Sequence, residues 1–271
     1  MADDHQIFRH RLWVRLTHGI NVVCMTVLLM SGLQIFNAHP ALYWGDRSRF
    51  DRRILSIGAA QDAQGRPMGV TSIGTREFDT TGLLGVSGDP VEGTIRAFPA
   101  WMTLPGAQWL SMGRRWHFFF AWIFVVNAAT YGIMTIVSRH LWRDLLPSGS
   151  GLRQIGGSLW NHLRLRFPRG EEAKHYNVLQ KLAYLVVLLA LGPVMILAGL
   201  AMSPRLDASY PFLLDIFGGR QSARTVHFIV AFSLLGFTVI HITMVVLSGV
   251  WNNLRSMVTG WYDLGNKHGN A

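Results

Sequence analysis

The sequence predicts an all-α integral membrane protein, a four-helix up-and-down bundle with one long extracytoplasmic loop. Half of its 271 residues are hydrophobic and only 15% are charged, a composition typical of membrane proteins. Four segments are apolar and long enough to cross a hydrocarbon core about 30 Å thick: residues 16–36, 116–138, 178–202 and 225–250. Because the bilayer core offers the backbone no hydrogen-bond partner, each segment is expected to cross as a helix. We treat residues 1–271 as a single membrane domain, with residues 37–113 as the loop.

The first apolar segment has the position of a secretory signal peptide. Its run, residues 16–36, is longer than the apolar region of a signal peptide, and no small-residue cleavage site follows at Asn37, Ala38, His39 and Pro40. We therefore expect a retained membrane helix.

The formal net charge of +10 suggests either nucleic-acid binding or the charge bias of membrane topology. Residues 139–177 hold seven Lys and Arg against three acids, whereas residues 37–113 balance seven arginines with seven acids. Basic residues collect in cytoplasmic loops, so topology explains the charge and no nucleic-acid partner is expected. We place both termini and residues 139–177 in the cytoplasm, and residues 37–113 and 203–224 outside.

Cys24, the only cysteine, lies within the first segment. A single cysteine excludes a disulfide framework, a cysteine-based metal site and the CxxCH attachment of a c-type haem. The sequence also lacks a Gly-rich phosphate loop, an HExxH pair and a GxSxG nucleophile elbow. Any haem must therefore be held non-covalently, and no catalytic residue is predicted.

Four of the eleven histidines fall inside the predicted spans: His18, His117, His227 and His241. A histidine inside a membrane span costs about 2 kcal/mol or more without a partner, so each is a functional candidate. His227 and His241 are fourteen residues apart, which corresponds to about 21 Å of helix rise and nearly four whole turns. They therefore share a face but lie near opposite edges of the membrane.

The depths of these histidines in the membrane predict two pairs, because adjacent helices of an up-and-down bundle alternate in direction. His18 begins an outward helix and is paired with His241 on the cytoplasmic side. His117 and His227 both begin inward helices and are paired on the outer side. Two histidines from two helices suit an electron-transfer haem with no open position. A lone histidine is more often a packing residue, and zinc usually requires four ligands in one place.

An arginine precedes three of these histidines by three residues: Arg15, Arg114 and Arg224. Residues i and i+3 share a helix face, so each arginine lies one turn nearer to water than its histidine. A haem propionate would emerge there, and guanidinium groups pair well with carboxylates. The alternative is an ordinary snorkelling arginine at a helix end.

These residues resemble the bacterial di-haem cytochrome b family, the membrane subunits of nickel–iron hydrogenases, formate dehydrogenases and thiosulfate reductases. The similar stretches include HRLWVRLTHGINVVCMTVLLMSGLQI, NVLQK and RTVHFIVAF. The resemblance as a whole covers the four helices, about half of the chain. The usual His-Trp is replaced by His18-Gly19. The segment FNAHPALYWG resembles the thiosulfate-reductase-type branch. The resemblance implies that His18, His117, His227 and His241 ligate two haem b groups.

The family resemblance further implies a bacterial cytoplasmic-membrane protein that links the quinone pool to a partner oxidoreductase, often a molybdopterin or iron–sulfur subunit outside the membrane. The chain would then be an electron-transfer subunit rather than a self-contained enzyme. The loop of about 77 residues is long enough to be functional. Its candidate docking residues are Trp44, Arg47, Arg49, Arg52, Arg53, Trp101 and Trp109. The alternative is that the loop caps the haem on the outer side, or that it is disordered around residues 58–93.

Three other functions are considered. The first is a stand-alone cytochrome that oxidises a small reductant such as superoxide or ascorbate and reduces quinone, which would need no docking loop. The second is a proton-relay transporter, which the absence of Asp and Glu from all four spans disfavours. The third is a membrane anchor without a cofactor, which the paired histidines disfavour. The candidate quinone contacts lie near the haem on the cytoplasmic side: Arg15, Asn21, Asn127, Tyr131 and Trp251.

Overall fold

The computed structural model describes residues 6–88, 93–139, 141–147, 156 and 178–263. It contains four helices that are long and apolar enough to cross a membrane, as predicted. They are α1 (Leu12–Phe36), α2 (Leu110–Val137), α3 (Val178–Ala201) and α6 (Arg220–Leu247). Shorter helices follow two of them: α4 (Pro204–Ser209), α5 (Phe212–Phe217) and α7 (Val250–Thr259). Most of the predicted cytoplasmic loop, including His140, His162 and His175, lies outside the described residues.

Several threonine hydroxyl groups within the spans donate to their own helices. Thr26, Thr130 and Thr238 each donate to the carbonyl four residues earlier at 2.8–2.9 Å. This bond satisfies a polar group where neither water nor a second helix is at hand.

Two of the spans deviate from the simple helices that were predicted. In α3 the residues Val187–Leu191 form a π-helical turn just before Pro193. Proline has no N–H to donate and its ring crowds the preceding turn, so a wider turn accommodates it. Helix α6 ends at Leu247 rather than at residue 250, because Gly249 takes a φ of 106°, which a helix does not allow.

The long loop is folded rather than irregular, so the all-α class is only approximate. Strands β2 (Ala41–Leu42), β3 (Leu55–Gln61), β4 (Pro67–Ile73) and β5 (Arg76–Asp79) form an antiparallel sheet in chain order. Strands β6 (Gly85–Ser87) and β7 (Thr94–Arg96) pair separately. A further pair joins the chain ends, β1 (Gln6–Phe8) with β8 (Trp261–Asp263). Disorder around residues 58–93 was therefore the wrong alternative wherever those residues are described.

The loop has its own apolar core, which includes the end of α1. Leu33 and Phe36 of α1 are buried together with Leu42, Ile57 and Phe98 from the loop. Burying side chains of this size contributes about 1.5–3 kcal/mol each. The loop is thereby held on the last turn of the first span.

The chain forms two compact units. One, the terminal unit, comprises Met1–Ile20, Val126–Pro193 and Phe232–Ala271. The other, the loop unit, comprises Asn21–Val125 and Val194–Ala231.

Candidate functional site

The four histidines of the spans lie in two pairs, one in each unit. In the loop unit, the ring centroids of His117 and His227 are 6.2 Å apart, with the ring planes at 65°. In the terminal unit, those of His18 and His241 are 6.3 Å apart, at 58°. The structure thus brings together the partners that the sequence predicts, from α1, α2 and α6.

Both centroid separations match a metal held between two imidazoles. A bond from metal to imidazole nitrogen is about 2 Å, and with roughly 1 Å from nitrogen to ring centroid, two opposed rings stand about 6 Å apart. Within the described residues there is no cluster of three or more His, Cys, Asp or Glu that could hold a metal ion. Two protein ligands fit haem, which supplies the other four nitrogens itself, and do not fit a zinc site.

Hydrogen bonds fix the tautomer of both histidines in the loop unit. Nδ1 of His227 lies 3.2 Å from the carbonyl oxygen of Met195, which only accepts, so Nδ1 carries the proton. Nδ1 of His117 lies 3.1 Å from Oγ of Ser31, and that hydroxyl donates its one proton to the carbonyl of Val27 at 2.6 Å. Ser31 therefore accepts from His117. Both rings keep an unprotonated Nε2, the arrangement found in metal-ligating histidines.

Two glycines make room for these rings. A Cβ at Gly32 of α1 would stand 3.4 Å from Cε1 of His117, and a Cβ at Gly199 of α3 would stand 3.3 Å from Cε1 of His227. A larger side chain at either position would push the ring. The sequence shows that the spans contain small residues. Which of them contact a histidine ring can be seen only in the packed structure.

The histidines of the terminal unit are supported by aromatic contacts. Phe237 stacks on His241 with ring centroids 6.0 Å apart and planes at 12°, and Tyr184 contacts Phe237 at 6.3 Å. A Cβ at Gly19, next to His18, would meet no atom within 4 Å. The departure from the usual His-Trp therefore leaves open space at position 19 among the described residues.

The three predicted propionate partners have other contacts in the structure. Arg15 donates from Nε to the carbonyl of Met257 at 3.1 Å. The guanidinium carbon of Arg114 lies 5.6 Å from the ring centroid of Phe118. Arg224 donates to the carbonyls of Ala41 and His39 and so holds the loop. Their role toward propionates stays a prediction.

Sequence reasoning missed the buried guanidinium of Arg96. This side chain is 6% exposed and donates to Oε1 of Gln34 and Oγ1 of Thr103, both at 2.9 Å, and to the carbonyl of Gly106 at 2.8 Å. Burial lowers the pKa of Arg96 from its usual value. Nothing in the sequence distinguishes it from the other arginines of the loop, because only the folded loop buries it.

Four membrane helices with histidines paired at the separation of haem ligands define a class: a membrane-bound b-type cytochrome. The chain belongs to the prokaryotic cytochrome b561 family, whose pattern matches residues 9–260. It is similar to the putative protein-methionine-sulfoxide reductase subunit YedZ1 of Azospira oryzae, with 28% identity over 251 residues that cover 93% of this chain and 96% of the relative. No solved structure matches the chain.

Family membership confirms the resemblance read from the sequence. The protein is a multi-pass membrane protein of the bacterial inner membrane that binds haem b and transfers electrons. Its place in the thiosulfate-reductase-type branch stays a prediction.

Proposed function

We propose that the chain is a di-haem cytochrome b that carries electrons across the membrane between the quinone pool and a soluble oxidoreductase subunit on the outer side. The observation that carries the proposal is the presence of two histidine pairs, each at the separation of a bis-histidine site. Haem iron held by two imidazoles supplies one-electron redox chemistry with no open coordination position.

The residues of the chain hold and orient these sites. His117 and His227 present Nε2 because Ser31 and the carbonyl of Met195 occupy Nδ1. His18 and His241 form the second site, with Phe237 stacked on His241. Spans free of Asp and Glu keep the surroundings apolar, which excludes water and suits electron transfer over proton relay.

The partner is proposed to be a reductase. The relative from Azospira oryzae is described as a subunit of a protein-methionine-sulfoxide reductase. Electrons would then run from quinol to a soluble subunit of molybdopterin or iron–sulfur type, as the family resemblance implies. The loop lies outside in this proposal, and both termini lie in the cytoplasm.

Haem stoichiometry tests the two sites. Purified protein should contain two haem b per chain by pyridine haemochrome, and His18→Gln and His227→Gln should each retain one, with different midpoint potentials. His10→Gln, a histidine outside both pairs, is the control and should retain two. One haem in the wild type, or the loss of the same haem in both variants, would contradict the proposal.

Co-purification tests the partner. The chain extracted from native membranes should carry a soluble redox subunit, and quinol oxidation should stop when that subunit is removed. If the chain is recovered alone and still exchanges electrons between quinone and superoxide, it is the stand-alone cytochrome instead.

A further inference from the structure

An open basic pocket lies at the start of the loop, directly after β2. Its volume is about 530 Å³, and its lining residues are Trp44, Gly45, Asp46, Arg47, Arg49 and Arg52. The lining includes three arginines and one aspartate, which gives the pocket a net charge of +2. The pocket therefore favours an anionic ligand.

The pocket has guanidinium groups available for such a ligand. Within the described residues, Arg47 and Arg49 form no ion pair. Arg52 approaches Asp51 at 3.7 Å, but both side chains are about three-quarters exposed, so this pair contributes little.

Two exposed aromatic side chains, one of them in the lining, lie close to these arginines in the chain. Trp44 of the lining is 55% exposed, and Phe50, between Arg49 and Arg52 in the chain, is 67% exposed. Tryptophan and arginine are the residues that most often dominate protein–protein interfaces. By contrast, Trp101 and Trp109 do not line the pocket.

Hydrogen bonds join the edge of the pocket to the helix that carries His227. The carbonyl of Gly45 accepts from the backbone N–H groups of Gln221 and Ser222 at 2.9 and 3.1 Å. The N–H of Gly45 donates to Oγ of Ser222 at 2.7 Å, and the hydroxyl of Thr225 donates to the carbonyl of Tyr43 at 2.7 Å. Thr225 is two residues from His227. The pocket is thus fixed to the first turns of α6 within the loop unit.

We infer that this pocket docks an acidic surface patch of the soluble oxidoreductase subunit, with Asp or Glu carboxylates held by Arg47, Arg49 and Arg52. The inference rests on the proposed function and names the surface through which the partner binds. Guanidinium groups match carboxylates in a planar, bidentate way. An anionic lipid headgroup also carries the matching charge. The partner is favoured because a pocket fixed to the helix of His227 brings a docked redox protein to the ligand helix, which electron transfer requires and lipid binding does not.

A charge reversal tests the pocket. Arg47→Glu/Arg49→Glu is compared with Arg66→Glu/Arg76→Glu, which makes the same charge change on the β4–β5 side of the same loop. The dissociation constant is measured between the full chain in neutral phosphatidylcholine nanodiscs and the soluble subunit recovered with the wild-type chain. We expect the pocket variant to bind about tenfold or more weakly and to lose most of the salt dependence, and the control to change less than about twofold. The haem spectra of both variants should equal that of the wild type.

Other results overturn the inference in distinguishable ways. Unchanged binding in the pocket variant, or equal weakening in both variants, would show that the pocket is not the docking site while leaving the proposed function intact. If the pocket variant loses only its affinity for phosphatidylglycerol vesicles, the pocket is a lipid site. If no soluble subunit accompanies the wild-type chain, the proposed function fails and the docking site fails with it.

Discussion

At the scale of single residues, each histidine of the loop unit is held by a hydrogen bond from its Nδ1 to a neighbouring acceptor. The hydroxyl of Ser31 donates its proton to the carbonyl of Val27, so its oxygen accepts the Nδ1–H of His117. The backbone carbonyl of Met195 accepts the Nδ1–H of His227. The four histidines and their pairing can be predicted from spacing and helix direction. The acceptors of their Nδ1 protons cannot be predicted, because a serine or a backbone carbonyl in an apolar helix looks like any other in the sequence.

Replacing Ser31 by alanine should weaken the site of His117. The Nδ1–H would lose its side-chain acceptor in a dry environment, at a cost of about 1–3 kcal/mol, and loss of such a partner typically lowers metal-site affinity by roughly 10–100-fold. Haem content and the midpoint potential of that site measure the effect. Thr26→Ala removes the same kind of i−4 hydroxyl bond from α1 without touching a histidine, and should leave both values unchanged.

Replacing Gly199 by valine should displace His227. A Cβ at this position already stands 3.3 Å from the ring, so the two added methyl groups would occupy the space of the imidazole. We expect one haem per chain instead of two, by pyridine haemochrome. Gly132→Val is the matched control, since a Cβ there meets no atom of the described residues within 4 Å. Two haems retained in Gly199→Val would contradict the packing argument.

His39, in the loop, should make stability depend on pH. Burial and the neighbouring charge of Arg224 lower the pKa of His39 below its usual value, and its buried Nε2 has no hydrogen-bond partner among the described residues. Its neutral form therefore favours the folded state, so stability is full above the unfolded pKa of about 6.5 and falls as the pH drops below it. The thermal midpoint of the wild type should fall more steeply from pH 7 to pH 5 than that of His39→Gln. Parallel curves for the two proteins would assign the pH dependence to other groups.

At the scale of elements, the spans can be predicted from hydropathy and the folded loop cannot. The helices are specified by local composition, and their observed ends differ from the predicted ones where a cap or a special residue intervenes, as at Gly249. The strands β3 and β4 contain glycine and polar residues without clear alternation, so their sequence gives little β signal. Their pairing depends on distant backbone contacts. A Cβ at Gly69 would collide with the carbonyl oxygen of Leu84, and Gly85 has a φ of 80°.

A single methyl group at Gly69 should therefore loosen the loop. Gly69→Ala forces β4 away from the β6 segment, at a cost of about 1–3 kcal/mol. Trypsin cleavage after Arg76 in the purified protein should become faster. Gly58→Ala, in the neighbouring strand β3, adds the same methyl group where no atom in the described part of the chain lies within 4 Å, and should be cleaved at the wild-type rate. Equal rates in the two variants would show that the close contact is not what holds the sheet.

At the scale of the whole molecule, the family and the spans establish a multi-pass inner-membrane protein, while the side on which the loop lies is argued from charge. Residues 139–177 carry the basic excess and the loop is balanced, so the loop is predicted outside. The proposed docking pocket agrees with this orientation, because a soluble partner on the outer side would have to reach the loop.

Cysteine labelling in spheroplasts tests that orientation directly. Gln64→Cys places a thiol in the exposed turn between β3 and β4, and Gln6→Cys places one in β1 at the chain end. The native Cys24 is 1% exposed and should not react. A membrane-impermeant maleimide should label Gln64→Cys in spheroplasts, and should label Gln6→Cys only after the membrane is permeabilised. The opposite result would put the loop and its basic pocket in the cytoplasm, where an extracytoplasmic partner could not reach them. The two histidine pairs would survive that result, because reversing the topology exchanges their sides and leaves each pair intact.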